Sequence, residues 1–217
     1  MPRFSCVIFD MDGTLTRTNS LIFAAFNHIT QKYLGKEFTP KEIIGFFGPP
    51  EEGALEKLIG AERLDEAMDE LCSYYRAHHN TMAQLHSGIE GILRLLKERG
   101  ITLAVFTGKG SRTANITLEE FGIAGFFDYV VSGNDVASHK PHHEGIQKII
   151  ERFSLTPDEV LMVGDSMSDV NASRSAGVKV AAVLWDSYDK ERVLAAKTDY
   201  VFHRVEEMHD WFQLHTN

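Results

Sequence analysis

The sequence predicts an α/β fold: a doubly wound parallel sheet covered by helices, with an α-helical block inserted after the first strand. Three observations carry this. Short, wholly apolar runs recur along the chain, helical patterns separate them, and one long stretch near the start contains helical patterns alone. Apolar runs without polar alternation are the mark of strands buried on both faces. Strand–helix repetition implies parallel pairing.

The first run, residues 4–9 (FSCVIF), is stopped by Asp10 and Gly13. Residues 101–106 (ITLAVF), 130–131, 160–163 (VLMV) and 178–183 (VKVAAV) follow, with a weaker strand at 200–202. Between them, residues 89–99 place Ile92, Leu95 and Leu96 on one helical face and end at Gly100. Residues 111–121 begin at Ser111, a predicted N-cap, and close at Gly122. Helical patterns at 143–153, 169–176 and 190–196 complete the alternation. Residues 16–85 break it. There, 21–34, 41–47, 51–59 and 64–79 read as helices, punctuated by Pro40, Gly48, Pro49, Pro50 and Gly60. The expected organisation is an α/β core of residues 1–15 and 86–217 and a helical cap of residues 16–85.

Composition narrows the function. Hydrophobic residues make up 43% and charged residues 24% of the 217, the balance of an ordinary globular protein. The 22 basic and 31 acidic side chains leave a net charge of −9, which argues against generic nucleic-acid binding and against attraction to anionic membranes. A small anionic substrate fits if the site supplies its own positive field. The two cysteines, Cys6 and Cys72, suggest no disulfide framework and fit a reducing cytoplasm. The first apolar run ends at Asp10, too early for a signal peptide or a membrane span. The expected location is cytoplasmic.

Four features fall at the ends of predicted strands: Asp10-Met11-Asp12-Gly13-Thr14, Thr107-Gly108, Lys140-Pro141, and Gly164-Asp165-Ser166 with Asp169 beyond. A doubly wound sheet binds its ligands at those ends. Their chemistry suits phosphoryl transfer, which needs a nucleophile, charge neutralisation and in-line geometry. A carboxylate approaching a phosphate dianion is repelled unless a cation such as Mg²⁺ bridges the two. Asp10 and Asp165 offer hard oxygens for that ion, and Asp12 offers a proton donor and acceptor. Thr107 offers a hydroxyl and an N–H, Gly108 allows close backbone approach, and the helix near Ser111 presents its positive end. Lys140 adds a compact positive charge.

The set FDMDGTLT, VFTG, HKP and VGDSMSD resembles the four motifs of the haloacid dehalogenase superfamily, and the helical block after the first motif resembles that superfamily's cap. The resemblance covers about two thirds of the chain. It implies that Asp10 becomes an aspartyl-phosphate and that Asp12 is the acid/base and lends Mg²⁺ its backbone carbonyl. It further implies that Asp165 ligates Mg²⁺ with Asp169 in support, that Thr107 and Gly108 hold phosphate, and that Lys140 anchors phosphate and Asp10. The implied partner is a small phosphorylated metabolite, not nucleic acid or membrane, for a monomer or homodimer.

Asp12 favours phosphate-ester chemistry over dehalogenation, because a leaving alkoxide needs a proton. β-Phosphoglucomutases of the family carry a cap histidine where this chain has Ile22; His28 lies later. A hydrolase resembling phosphoglycolate phosphatases is the leading expectation, with an inorganic pyrophosphatase or a β-phosphoglucomutase-like mutase as alternatives and a non-catalytic binding protein last. Many such hydrolases read DGTLxDS, whereas this chain reads DGTLTRTNS. Arg17 is a candidate contact for an anionic substrate group, and Lys109 for the substrate. A zinc site from His139, His142 and His143 is disfavoured because no cysteine accompanies them. A Walker loop at 108–111 lacks its upstream glycine, since that position is Leu103.

Overall fold

The computed structural model describes residues 4–46 and 49–216. In chain order the strands are β1 (Cys6–Phe9), β2 (Thr16–Arg17), β3 (Gln84–Leu85), β4 (Thr102–Phe106), β5 (Tyr129–Val131), β6 (Val160–Gly164), β7 (Lys179–Val183) and β8 (Tyr200–Phe202). Six of them form one sheet in the order β5-β4-β1-β6-β7-β8, with every pairing parallel. The expected sheet is therefore present, including its weak last strand. The chain runs outward from β1 to one edge through β4 and β5, then returns to build the other side from β6. The reversal leaves β1 between β4 and β6, which is where such sheets place a ligand.

The strands are apolar on both faces because both faces are covered. Val7 and Phe9 pack with Ile92 and Leu96 of α5 (Ile89–Glu98) and with Met208 and Phe212 near the C-terminus. Cys6 and Ile8 face the other way, against Ile146 and Ile149 of α7 (Glu144–Phe153). Period-two alternation thus sorts side chains between two cores rather than between core and water. Both cysteines are free and buried.

Residues between β2 and β3 form α1 (Asn19–Leu34), α2 (Pro40–Ile44), α3 (Glu51–Ile59) and α4 (Leu64–Met82). They have a core of their own, centred on Leu21, Phe26, Ile29, Leu55, Met68, Leu71 and Tyr75. That core includes Ile116 of α6 (Ser111–Glu120), so the helical block rests on the helix after β4. The expected helix end at Phe47 and turn at Gly48 lie outside the described residues. Among the described residues, no helix is long and apolar enough to cross a membrane.

Two expectations need correcting. The stretch 16–85 was expected to hold no strand, yet β2 and β3 pair antiparallel, Thr16 with Leu85 and Arg17 with Gln84. They form a two-stranded neck at both crossings into the helical block. Two residues are too few to show any periodicity in sequence. Also, α6 is preceded by Gly110 rather than capped by Ser111, which is its first residue.

Packing of α7 on the sheet gives a stability test. A Cβ on Gly145, the second residue of α7, would lie 2.2 Å from Cε2 of Phe106, whereas one on Gly91, the third residue of α5, meets nothing within 4 Å. Both changes gain helix propensity of up to about 1 kcal/mol. Gly145→Ala adds overpacking of about 1–3 kcal/mol. Urea denaturation is expected to show Gly91→Ala more stable than the parent and Gly145→Ala less stable.

Candidate active site

Asp10 is the first residue beyond β1, buried, with its backbone N–H donated to the Val163 carbonyl at 2.8 Å. Lys140 Nζ donates to Asp10 Oδ1 at 2.7 Å, to Asp169 Oδ1 at 2.7 Å and to the Phe106 carbonyl at 3.0 Å. Asp165 follows β6 and accepts from Thr14 Oγ1 at 3.2 Å. Asp10, Asp165 and Asp169 are all buried, and one carboxylate oxygen from each lies within 4.8 Å of the others. Asp169 sits at the third position of α8 (Met167–Ala176), where a capping box with Ser166 fixes it.

Two glycines make this gathering possible. Gly13 has φ +87°, and a Cβ there would stand 2.6 Å from Asp165 Oδ2. A Cβ on Gly164 would stand 2.5 Å from the Asp169 side chain. The carboxylates occupy space that any larger residue would fill.

Burial raises the pKa of Asp10 to about 7, with Lys140 opposing and Asp169 adding to the rise. Burial likewise pushes Asp165 well above the usual carboxylate range, reinforced by the charges of Asp10 and Asp169. Burial disfavours the charge on Lys140, but Asp10 and Asp169 outweigh it and hold its pKa above the ordinary lysine value. If all three carboxylates were ionised, one ammonium would leave a local excess of negative charge. Such a donor set, all hard oxygen, suits a divalent cation.

The Asp12 side chain is engaged elsewhere. Its Oδ1 accepts from Thr18 Oγ1, and its Oδ2 faces Lys109 Nζ at 3.3 Å. Lys109 is buried above the Tyr75 ring, 4.9 Å from its centroid. Burial opposes its charge, but Asp12, Tyr75 and Glu51 prevail and raise its pKa. The structure thus places Lys109 against Asp12, in the lining of the site's cavity.

Thr107 is buried after β4. Its N–H, expected to be available to phosphate, is donated to the Val131 carbonyl at 3.0 Å, and its Oγ1 accepts from the Lys109 N–H at 3.2 Å. That leaves the Thr107 hydroxyl proton and the backbone at Gly108. The first donors of α6 are also occupied: Gly110 N–H by Glu51 Oε2 at 2.6 Å and Ser111 N–H by Asn134 Oδ1 at 2.7 Å. The positive end of α6, expected to face phosphate, is therefore covered by a carboxylate from the helical block.

A cavity of about 390 Å³ joins these groups. Its floor includes Asp10, Asp12, Gly13, Thr107, Gly108, Lys109, Lys140 and Asp165. Arg17 is not among its lining residues. Its side chain is half exposed and its Nε lies 3.6 Å from Asp186. Ile22 lines the cavity, whereas His28 pairs with Glu70 at 2.9 Å. Sequence reasoning missed Glu51 and Asn134, and it placed Thr14 and Thr18 in or beside the first motif without giving either a role.

Residues 7–183 match the haloacid dehalogenase-like hydrolase family. The pyrophosphatase PpaX of Anoxybacillus flavithermus is 32% identical over 206 residues, 95% of each chain. Among solved structures, a predicted phosphoglycolate phosphatase from Haemophilus somnus superposes with a TM-score of 0.84 at 22% identity, covering 98% of this chain and all (100%) of that one. A haloacid dehalogenase-like family hydrolase from Streptococcus pneumoniae gives 0.76 at 29% identity, with 98% and 100% covered. The chain belongs to the haloacid dehalogenase-like hydrolase family and falls among its phosphatases.

Proposed function

We propose that the protein is a Mg²⁺-dependent phosphatase of small phosphate monoesters, organised like phosphoglycolate phosphatases, that works through an aspartyl-phosphate on Asp10. One observation carries this: a buried carboxylate cluster at adjacent strand ends, anchored by Lys140, with a fourth carboxylate, Asp12, held apart from it. A protein that only binds phosphate has no use for that fourth group.

Asp10, Asp165 and the Asp12 backbone carbonyl would hold the Mg²⁺, with Asp169 positioning Lys140. The ion would supply the charge neutralisation that lets a carboxylate meet a phosphate dianion. Lys140 holds one oxygen of Asp10, and the other attacks phosphorus. The bond from phosphorus to the alcohol oxygen breaks, and Asp12 gives its proton to the departing alkoxide. Asp12 then takes a proton from water, which attacks the aspartyl-phosphate. Inorganic phosphate leaves and the Asp10 carboxylate is restored. Thr107 and Gly108 bind the phosphoryl oxygens. Thr18 and Lys109 orient Asp12. Residues 16–85 act as a cap whose movement about the β2–β3 neck admits substrate. A cytoplasmic site of action suits the two free thiols.

A pyrophosphatase is the second reading, favoured by the name of the PpaX relative. A mutase is disfavoured by Ile22 at the cavity wall and by the pairing of His28 with Glu70.

Asp10→Asn is expected to abolish Mg²⁺-dependent turnover of p-nitrophenyl phosphate, read as p-nitrophenolate release; retained turnover contradicts the nucleophile assignment. Asp12→Asn is expected to lower kcat by roughly 10²–10⁴-fold on an alkyl phosphate. The loss on p-nitrophenyl phosphate is smaller, since that leaving group needs no proton. A third test uses pH. The folded, metal-free protein keeps Asp10 protonated up to about pH 7, whereas the unfolded chain loses that proton near pH ~4. The folded state binds more protons between these values, so this group's contribution to stability falls as pH rises. Scanning calorimetry is expected to show Mg²⁺ raising Tm more at pH ~7.5 than at ~5.5, because the ion requires the ionised carboxylate.

A further inference from the structure

The two halves of the cavity differ in chemistry. The floor carries all the groups assigned to phosphate. The roof comes from the cap and is built from Ile22 and Phe26 of α1, Ile43 and Ile44 of α2, Phe46, and Ala54 of α3. Ile22 and Phe26 recur at helical spacing on one face of α1, so this is a continuous apolar wall rather than scattered contacts. The polar residues the roof contributes are Asn19 and Glu51.

Charge sharpens the contrast. Among the described lining residues the cations are Lys109 and Lys140. Lys140 is bound to Asp10 and Asp169, and Lys109 is packed against Asp12, with Glu51 3.9 Å away. Arg17, the cation nearest the neck in sequence, turns to Asp186 instead. Glu51 places its carboxylate on the Gly110 N–H and the Thr113 hydroxyl, each at 2.6 Å. Beside it, Glu52 Oε2 is buried without a hydrogen-bond partner. Among the described lining residues, the roof therefore offers a second anionic group no cation and one carboxylate, Glu51. Burying such an anion without a partner is strongly unfavourable.

The geometry points to a phosphate monoester whose alcohol part is uncharged and apolar, selected by Ile22, Phe26, Ile43 and Phe46. The inference rests on the phosphatase reading above and deepens it. It sets aside, as preferred substrates, both a phospho-carboxylate such as phosphoglycolate and a diphosphate. It also assigns Glu51 a specificity role, since its carboxylate fills the helix terminus where a second anion would otherwise bind.

The test compares kcat/KM with saturating Mg²⁺ for n-butyl phosphate, phosphoglycolate and pyrophosphate, with p-nitrophenyl phosphate as a general reporter. Butyl phosphate and phosphoglycolate both release unactivated alcohols, so their ratio reads recognition. Butyl phosphate is expected to exceed both anions by at least about tenfold. Equal or faster turnover of phosphoglycolate or pyrophosphate overturns the inference while leaving the phosphatase reading in place. Failure to turn over any of the four, p-nitrophenyl phosphate included, overturns both. Ile22→Lys, which sets a cation in the roof, is expected to shift the ratio toward phosphoglycolate by about tenfold. A folded variant with an unchanged ratio counts against the wall as the selector.

Discussion

Mutual repulsion among Asp10, Asp165 and Asp169 is the constraint on which the site is built. The three carboxylates are buried, and one oxygen from each lies within 4.8 Å of the others. Lys140 binds two of them but cannot balance all three. The pKa values of Asp10 and Asp165 are both pushed up, chiefly by burial, with the neighbouring carboxylates adding to the rise. A divalent cation would relieve the same conflict with the carboxylates ionised.

The fold produces that condition through register. β1 lies between β4 and β6, with Phe9 beside Val105 on one side and Val163 on the other. Asp10 directly follows Phe9, and Thr107 and Asp165 stand two residues past Val105 and Val163, so all three emerge at the same edge of the sheet. The hydrophobic cores on both faces hold the strands rigidly, so the repulsion cannot relax by strand separation. Gly13 and Gly164 remove the side chains that would otherwise keep the carboxylates apart. Above this floor the helical block lines the cavity with Ile22, Phe26, Ile43 and Ala54 and the carboxylate of Glu51.

Much of this was legible in the sequence, and the reasons are physical. β1, β4 and β6 are buried on both faces, so they read as unbroken apolar runs, and the residue that ends each run is by construction at the sheet's ligand-binding edge. Asp10, Thr107 and Asp165 were found that way. The β2–β3 neck was not, because pairs of two residues have no periodicity. Glu51 looks like any acidic residue in the first turn of a helix; only the tertiary fold shows that it reaches across to Gly110 and Thr113. Lys109 and Arg17 were visible as charges, but a charge does not announce its partner. One faces Asp12 and the other Asp186.

The cap and the core meet at Asp12, where Thr18 from the neck and Lys109 from the core grip the two oxygens of one carboxylate. On the proposed mechanism, the position of the helical block and proton transfer would be joined at that side chain, with the covalent chemistry on Asp10. The covalent step is the centre of the account, and it leaves a direct trace. Enzyme mixed with Mg²⁺ and p-nitrophenyl phosphate, quenched in acid during turnover and digested, should yield the peptide containing Asp10 with one added phosphoryl group by mass spectrometry. Its absence under steady turnover, or its presence on another residue, would contradict the account.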